Sequence, residues 1–303
     1  MRNGVVLIDK VANMSSAAVV ARVKRQLKAD KVGHAGTLDP DATGLLICLV
    51  NGATRVASYA LDGMKVYSGT MRLGVRTTTD DMTGDVIEES TSVPAFEAVS
   101  IAARDFVGAI EQVPPKVSAV KVGGRRAYQL ERAGHDVQLK SRQVTVDRFD
   151  VTAVSGNTIA YRIVCTPGTY VRALARDLGE KLGCGAAAET ICREGSGHFS
   201  VSEAVALEDL SWDCVQDWSI LVPHVPRMTV PSQIAIDLLQ GRVSALVAVV
   251  PLLASLDDVE GIVAYCAEGA ASETLGLLRV DSAGNVGFEV NVARQPQRGS
   301  ASA

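Results

Sequence analysis

Residues 33–46 read GHAGTLDPDATGLL, and this stretch decides how the rest of the chain is interpreted. Three residues that interrupt regular secondary structure fall within nine positions: Gly36, Pro40 and Gly44. Such a run predicts an irregular loop over residues 34–46 that presents its polar side chains. Two carboxylates lie in this loop, Asp39 and Asp41, and they are its candidates for chemistry.

Two chemistries use a pair of carboxylates in a loop of this kind. A DxDxT loop can supply an aspartyl nucleophile and an acid/base for phosphoryl transfer, with Mg²⁺ held by further carboxylates. That loop ordinarily follows a buried hydrophobic strand, which residues 33–38 are not predicted to form. Alternatively, a single carboxylate on a rigid turn acts on a nucleoside without a metal. In a purely structural interpretation, Asp39 caps a helix that begins near Ala42.

The segments around the loop predict both strands and helices. Strands are predicted at residues 5–8, 66–73, 117–122 and 159–165. A basic amphipathic helix capped by Ser15 or Ser16 follows the first strand, and a short helix is predicted at 126–133. A helix at 171–182 carries Arg172 in its first turn, where the helix dipole disfavours a cation, so a carboxylate partner is expected. Strands and helices without strict alternation predict an α+β fold.

The composition is that of a folded chain with one large domain or two modest ones. The chain has 303 residues, of which 47% are hydrophobic and 21% charged, and this excludes wholesale disorder. Six scattered cysteines without a CxxC pair predict neither a zinc site nor a disulfide framework. The first ten residues lack a signal-peptide core, and no apolar run reaches the roughly 20 residues of a membrane span. We therefore expect a cytoplasmic protein that makes no use of a membrane.

The charges are distributed unevenly, although the formal net charge is only −4. Residues 1–34 hold seven basic and two acidic residues, and residues 116–148 hold eight basic and three acidic ones. Residues 203–291 hold three basic and thirteen acidic residues. Because attraction to phosphate depends on the nearby field, the two basic blocks favour a local anion-binding surface. Solvated basic faces of helices would have the same composition.

A change in composition near Thr229, after a stretch marked by prolines, predicts a domain boundary. We expect a main domain over residues 1–228, a small β-rich domain over 229–294 and a disordered tail over 295–303. The small domain has a strong excess of acidic residues, so we expect it to contribute little to phosphate binding.

Five segments stand out, in this order along the chain. They are residues 4–16 (GVVLIDKVANMSS), 33–55 (GHAGTLDPDATGLLICLVNGATR), 65–86 (KVYSGTMRLGVRTTTDDMTGDV), 112–134 (QVPPKVSAVKVGGRRAYQLERAG) and 168–186 (GTYVRALARDLGEKLGCGA). Together they resemble the TruB family of tRNA pseudouridine synthases, from about Gly4 to Phe199. The resemblance implies a pseudouridine synthase fold, with a mixed, largely antiparallel central sheet flanked by helices, and a small C-terminal domain similar to PUA domains.

The resemblance also implies a reaction, which is isomerisation of the uridine at position 55, in the T-loop of tRNA, to pseudouridine. The base is cut from its sugar at N1, turned in the pocket and rejoined through C5, so no atoms are gained or lost. It implies no cofactor, no metal and a tRNA T-arm as partner; we expect a monomer. A Mg²⁺-dependent aspartyl phosphotransferase and a non-catalytic RNA-binding or chaperone module are the alternatives.

Three residues match the catalytic residues of the family. The catalytic aspartate, an ionised carboxylate, matches Asp39 in GTLDP. A carboxylate in a dry pocket stays ionised only beside a counter-charge, and the family's arginine matches Arg172 in GTYVR. Tyr67, in KVYSG, matches the aromatic residue that stacks on the target uracil.

Other positions match family residues that hold the substrate. His34 matches a histidine that helps hold the everted RNA loop, and Tyr170 and Ile191 match residues that line the uracil pocket. Asp81 matches a polar residue near the active-site tyrosine, and Lys10 lies in an L-x-D-K element that favours a positional role. Six basic residues are candidate contacts to the RNA backbone: Arg22, Lys24, Arg25, Lys121, Arg125 and Arg126.

The chain departs from the family pattern at two places. After Lys10 the family usually has a Pro-x-Gly turn, whereas this chain has Val11, Ala12 and Asn13, which leaves the geometry of that loop open. Farther on, the usual pair of basic residues is reduced to Arg193 after Cys192, so a weakened contact to RNA is expected there.

Overall fold

The computed structural model describes residues 2–118, 139–254, 256, 260–269 and 273–293, and the backbone alone at 121–122, 125–126 and 153–155. The strands are β1 (Gly4–Lys10), β2 (Val32–Ala35), β3 (Thr43–Val50), β4 (Lys65–Leu73), β5 (Val75–Thr77), β6 (Val86–Glu89), β7 (Gly108–Gln112), β8 (Lys121–Val122), β9 (Arg125–Arg126), β10 (Arg142–Ser155), β11 (Thr158–Cys165), β12 (Ala186–Ser196), β13 (Phe199–Ser200), β14 (Arg227–Val230), β15 (Gly261–Ala267), β16 (Gly276–Val280) and β17 (Val286–Asn291). The helices are α1 (Ser16–Gln26), α2 (Ala57–Leu61), α3 (Phe96–Arg104), α4 (Val171–Lys181), α5 (Ser232–Leu239) and α6 (Val243–Leu253), with short 3₁₀ helices at Asn51–Val56, Val201–Glu203, Trp212–Cys214 and Trp218–Leu221.

The main sheet has the strand order β1-β3-β12-β4-β11-β10-β7, with β2 added to β3 and β13 added to β12. Strands β3 and β12 run parallel, and the other described pairs of this sheet are antiparallel. The predicted α+β fold with a mixed, largely antiparallel sheet is therefore confirmed. Because β12 lies between β3 and β4, the parallel pair brings residues near position 190 beside the loop that precedes β3.

Helices cover the sheet where their apolar faces meet it. Helix α1 begins after Ser15, whose side chain accepts a hydrogen bond from the backbone N–H of Ala18. Its buried residues Val19 and Val23 pack with alternate residues of β1 and β3, as the helical and strand periods require. Helices α3 and α4 pack on β10 and β12 and bury a second cluster that includes Leu174 and Leu178. In the described part of the chain, no helix is both long and apolar enough to cross a membrane.

A second sheet, of order β14-β15-β16-β17, lies next to the main one. One of its faces joins a cluster with the main sheet, and the Trp218 indole N–H donates to the carbonyl of Thr274 across this contact at 2.7 Å. The predicted boundary between residues 228 and 229 lies inside β14 (Arg227–Val230), which pairs with β15. The predicted tail over 295–303 lies outside the described residues.

Several local predictions need correction. The loop over residues 34–46 is shorter than predicted, because β2 extends to Ala35 and β3 begins at Thr43. A strand therefore does precede Asp39, but it is short and half-buried, and it ends four residues before Asp39. The predicted strand over 117–122 is wrong at Val117 and Ser118, which lie outside a strand, whereas Lys121–Val122 does form one. The predicted helix over 126–133 is wrong at Arg126, which lies in β9, and its other positions lie outside the described residues.

Candidate active site

The loop that carries Asp39 is held from behind by the first helix. The hydroxyl of Ser16 both accepts from the backbone N–H of Leu38 and lies 2.9 Å from its carbonyl oxygen, to which it donates. Gly36 has a φ of +82°, a conformation that other residues rarely adopt. The backbone N–H of Ala42 donates to the carbonyl of Asp39, which closes the turn. The buried Leu38 thus anchors a rigid turn on which Asp39 is presented.

Lys10 supports the same turn from the end of β1. Its ammonium is fully buried and donates to the carbonyl oxygens of Pro40 and Met14, both at 2.7 Å, and of Val11 at 2.9 Å. Burial lowers the pKa of Lys10 to about 8, although the charges of Asp41 and Asp39 oppose this shift. The turn without Pro-x-Gly closes through the backbone N–H of Met14, which donates to the same Pro40 carbonyl. These contacts fit a positional role for Lys10.

Arg172 meets Asp39 across the site. Helix α4 begins at Val171 and places Arg172 in its first turn, where the side chain is only 4% exposed. Its Nε donates to Asp39 Oδ2 at 2.8 Å and its Nη2 donates to Asp39 Oδ1 at 3.1 Å, a bidentate arrangement. The predicted pairing of Arg172 with a carboxylate is therefore confirmed. The Asp39 side chain remains 39% exposed, so it is open to a substrate while its charge is balanced.

The remaining donors of Arg172 are also in use. Nη1 donates to the carbonyl of Thr79 at 3.0 Å and lies 3.4 Å from Asp81 Oδ2. Nη2 donates in addition to the carbonyl of Val117 at 3.0 Å. Arg172 thus makes four hydrogen bonds, and its Nη1 is also within ion-pair distance of Asp81. The position of Arg172 is consequently fixed by three separate parts of the chain: the loop of Asp39, the loop of residues 79–81 and the stretch that contains Val117.

A cavity of about 270 Å³ opens beside this ion pair. Tyr67, the third residue of β4, lines it together with Asp39 and Arg172. Burial raises the pKa of Tyr67 above its ordinary value, although the nearby Arg193 opposes the shift, so the phenol is neutral near pH 7. The three residues predicted to be catalytic therefore share one cavity, although they lie far apart in sequence.

Tyr170 and Ile191 complete the wall of this cavity. Tyr170 precedes the first residue of α4, and the Arg142 guanidinium lies over its ring, 4.6 Å from the centroid. Ile191 lies on β12 opposite Gly69 of β4, close to Tyr67 along the sheet. An aromatic and an aliphatic side chain at these points give the cavity apolar faces beside a charged pair, as is typical of small-molecule sites.

Asp81 and His34 lie at different distances from this centre. Asp81 accepts from the side chains of Thr79 and Thr83, both at 2.6 Å, and it lines a second cavity of about 110 Å³ with Asp39 and Arg172. The resemblance matches Asp81 to a residue near the tyrosine; in the structure its charged partner is Arg172, 3.4 Å away. His34 lies on β2 opposite Cys48, and the residues that line these two cavities do not include it.

The candidate RNA-backbone residues fall in two groups. Arg22, Lys24 and Arg25 are exposed on α1, on the side away from its buried valines. Lys121, Arg125 and Arg126 lie on the antiparallel pair β8–β9, and their side chains lie outside the described atoms.

Sequence reasoning misplaced Arg193. A contact to RNA was expected, but the side chain is only 2% exposed and lies inside the protein. Its Nε donates to the carbonyl of Leu45 at 2.8 Å and its Nη2 donates to that of Gly36 at 3.0 Å. Arg193 also lies opposite Tyr67 in the β12–β4 register. It therefore ties the loop before Asp39 to the strand that carries the tyrosine.

Two further lining residues were missed, Lys65 and Arg142. The ammonium of Lys65 is buried and donates to Ser196 Oγ and to the carbonyl of Leu61, both at 2.8 Å. Burial lowers its pKa to about 8. In the sequence, Lys65 stands two residues before Tyr67 in a strand, so the period-two alternation places both on one face. This alternation is the feature of the sequence that indicates Lys65 as a neighbour of Tyr67.

The described residues place no group of three or more His, Cys, Asp or Glu side chains where it could hold a metal ion. The chemistry that this site offers comes from one carboxylate, the guanidinium that pairs with it and a phenol ring. A carboxylate that is paired with a guanidinium and open to a cavity can act as a nucleophile or as a base.

Comparison with known proteins identifies the family. The sequence model described as TruB family pseudouridylate synthase (N terminal domain) matches residues 24–171. The chain is 46% identical to tRNA pseudouridine synthase B of Thermobifida fusca (strain YX) over 220 residues, which are 70% of this chain and 75% of that protein. It is 44% identical to tRNA pseudouridine synthase B of Mycobacterium tuberculosis (strain H37Rv) over 216 residues, 69% of this chain and 72% of that one.

Solved structures agree with this comparison at the level of the fold. A structure of a Cbf5-Nop10-Gar1 complex matches 96% of this chain and 85% of its own, with a TM-score of 0.67 and 24% identity. A structure of an H/ACA RNP bound to a substrate RNA containing 2′-deoxyuridine matches 96% and 84%, with a TM-score of 0.63 and 22% identity. On the strength of the two bacterial relatives, which it matches over more than two thirds of their length, the chain belongs to the TruB family of pseudouridylate synthases.

Proposed function

We propose that this protein isomerises a uridine of tRNA to pseudouridine, at position 55 in the T-loop. The observation that carries the proposal is the Asp39–Arg172 ion pair, which shares one cavity with Tyr67. The identity of 46% to a relative named tRNA pseudouridine synthase B supports the same substrate class. The reaction breaks the N1–C1′ bond, forms a C5–C1′ bond and moves one proton from C5, so it needs no co-reactant.

Asp39 is the group placed to meet the sugar. Its carboxylate is held by the bidentate contact with Arg172, which balances its charge and orients it beside the cavity. As an anion it can attack C1′ or assist departure and deprotonation of the base, and both routes need the charged form. Arg172 itself stays on the protein side of the carboxylate, so its role is to hold Asp39 and balance its charge.

The uracil is proposed to lie between the apolar walls of the cavity. Tyr67 offers a flat ring for stacking, worth about 1–3 kcal/mol per base, and Tyr170 and Ile191 line the same cavity. The cavity volume of about 270 Å³ lies near the lower end of the usual range for small ligands. A base inside an RNA helix cannot reach this position, so the target must be extruded from its stack.

The supporting residues are proposed to act by position. Lys10 holds the turn at Pro40, and Asp81 Oδ2 lies 3.4 Å from Arg172 Nη1. His34, on the strand before the catalytic loop, is proposed to contact the everted RNA loop outside the cavity. These roles follow from the match to family positions together with the placement of each side chain.

The rest of the molecule is proposed to serve RNA binding. We propose a catalytic domain over 1–228, a PUA-like domain over 229–294 of little phosphate affinity, and a disordered tail over 295–303. The T-arm of tRNA is the proposed partner, bound by a monomer in the cytoplasm. The six candidate backbone contacts are Arg22, Lys24, Arg25, Lys121, Arg125 and Arg126.

The affinity for T-arm RNA is expected to fall steeply with salt despite the acidic pI of about 5.7. If three of the candidate residues contact phosphates, raising the salt from about 50 to about 200 mM should weaken binding roughly 40-fold. A fluorescence titration at several salt concentrations measures the slope. Removing the charges of Arg22, Lys24 and Arg25 should reduce the dependence of RNA affinity on salt concentration. If the affinity of the unchanged protein did not depend on salt, that result would contradict a basic RNA-binding surface.

Tritium release from T-arm transcripts that contain 5-³H-uridine tests the function itself. We expect equal release with Mg²⁺ and with EDTA, because the proposed chemistry uses only side chains. A transcript with cytidine at position 55 serves as the control and should release nothing. Release that requires Mg²⁺ would favour a metal-dependent reaction, and tight binding without release would favour the RNA-binding module.

A further inference from the structure

The stretch that leads out of β7, residues 112–118, is tied to α4 at three points. We call this stretch the strap. Gln112, at its start, is fully buried, and its side-chain amide forms two hydrogen bonds with the backbone of Tyr170. The amide accepts from the Tyr170 N–H at 2.8 Å and donates to the Tyr170 carbonyl at 3.1 Å. The first tie therefore orients Tyr170, one of the residues that line the cavity of Asp39 and Tyr67.

The second tie is made by Arg176, one helical turn after Arg172. Its Nη2 donates to the carbonyl of Val113 at 2.9 Å, and its Nη1 donates to Asp80 Oδ2 at 2.9 Å. Its Nε donates to the adjacent Asp177 at 2.8 Å. Both partners of the Arg176–Asp80 pair are largely buried, so water screens this ion pair little.

The third tie is made by Arg172, and it repeats the pattern of the second. Arg172 donates to the strap at the carbonyl of Val117. It also donates to the carbonyl of Thr79, in the loop that contains Thr79 and Asp80. Each arginine thus joins the same helix to the same two segments, four residues apart along the helix. Arg172 differs in reaching Asp39 as well, with two hydrogen bonds, and in lying within ion-pair distance of Asp81.

This arrangement makes the place of Arg172 depend on where the strap and the loop lie. If the strap shifted, the carbonyl of Val117 would move, and if the loop of Thr79 and Asp80 shifted, the carbonyl of Thr79 would move. In either case the guanidinium of Arg172 would have to turn away from Asp39 to keep the hydrogen bond. Arg176 holds both segments without touching the cavity, since the residues that line it do not include Arg176.

We propose that Arg176, through Asp80 and the strap, is a positioning residue that keeps Arg172 in register with Asp39. The inference rests on the proposed function, because it assigns a role in the same reaction. A misplacement of about 1 Å in a catalytic constellation can cost roughly 100-fold in rate. The effect should therefore appear in the rate of the bound complex and not in RNA affinity.

Three variants and one control test this role. Arg176→Met removes the second tie, that is, the hydrogen bonds to Asp80 and to the carbonyl of Val113. Arg176→Lys keeps a positive charge for Asp80 but lacks the forked guanidinium that also reaches Val113. Asp80→Asn weakens the ion pair alone. Asp80 has a φ of 62°, a conformation that asparagine tolerates well, so this last variant should fold. Lys181→Met is the control, because Lys181 is paired with Asp105 on the exposed side of the same helix.

Single-turnover rates, Kd for T-arm RNA and thermal midpoints are measured for each protein. We expect Arg176→Met to lower the rate at least about 10-fold with Kd changed less than about 3-fold. Arg176→Lys and Asp80→Asn should fall between it and the unchanged protein, and Lys181→Met should match the unchanged protein. If Arg176→Met does not fold, the rate of Asp80→Asn decides.

Two results would overturn the inference. Wild-type rates in Asp80→Asn and in the folded Arg176 variants would show that Arg172 keeps its place without the second tie. An equal loss in Lys181→Met would show a general response of the helix. Absence of pseudouridine formation by the unchanged protein is a separate outcome, since it contradicts the proposed function and not the tie between Arg176 and the strap.

Discussion

Replacing Asp39 with asparagine is expected to lower pseudouridine formation by about 10⁴-fold or more, the scale seen when a central catalytic group is removed. The amide has nearly the shape of the carboxylate but no charge, so it can neither attack C1′ nor take a proton. The asparagine would also turn its N–H₂ group toward Arg172, whose Nε and Nη2 now donate hydrogen bonds to the carboxylate at 2.8 and 3.1 Å. Tritium release from 5-³H-uridine transcripts measures the loss.

Asp41→Asn is the matched control for this experiment. Asp41 lies in the same loop, two residues after Asp39, and its side chain is exposed. We expect its rate to stay within about threefold of the unchanged protein, the size of effect typical of surface substitutions. If the two variants lost activity equally, the reaction would not depend on the carboxylate that pairs with Arg172.

Replacing Tyr67 with leucine is expected to lower turnover at least about 100-fold, which corresponds to the upper part of the stacking energy of a base. RNA affinity should change little, because contacts to phosphates supply most of it. The fourth strand continues on both sides of Tyr67, and leucine suits a half-buried strand position, so the sheet should fold. Rate and Kd are measured on the same T-arm transcript.

Tyr59→Leu is the control for loss of a tyrosine. Tyr59 lies on α2, and its hydroxyl donates to Glu289 at 3.0 Å, outside the cavity that contains Tyr67. This variant should turn over normally. A parallel loss of rate and affinity in Tyr67→Leu would mean that the ring supports the RNA surface as a whole and does not stack on the reacting base.

The local features of the site could be predicted because short-range rules decide them. Gly36, Pro40 and Gly44 exclude regular structure around Asp39, and Ser15 marks the start of α1 as its cap. The cation in the first turn of α4 is unfavourable by itself, which correctly indicated that Arg172 has a carboxylate partner. The match of five segments to one family supplied the pairing with Asp39, which spacing alone does not reveal.

The buried polar residues around the site could not be predicted in the same way. Arg193 and Gln112 stand in strands, where a polar residue is normally taken to face solvent. Both are buried because carbonyl and N–H groups from distant segments meet them, and a buried polar group is stable only with such partners. The acceptor of the Arg193 Nε lies on Leu45, 148 residues earlier in the chain.

Sequence by itself therefore determined the family, and it predicted three residues, Asp39, Arg172 and Tyr67, that the structure places around one cavity. Tertiary structure alone decided which basic side chains serve the fold and which remain free for RNA. The physical reason is that charge is visible in a sequence, whereas its environment is not. Arg193 and Lys65 are charged like the exposed bases of α1, but the folded sheet encloses their side chains.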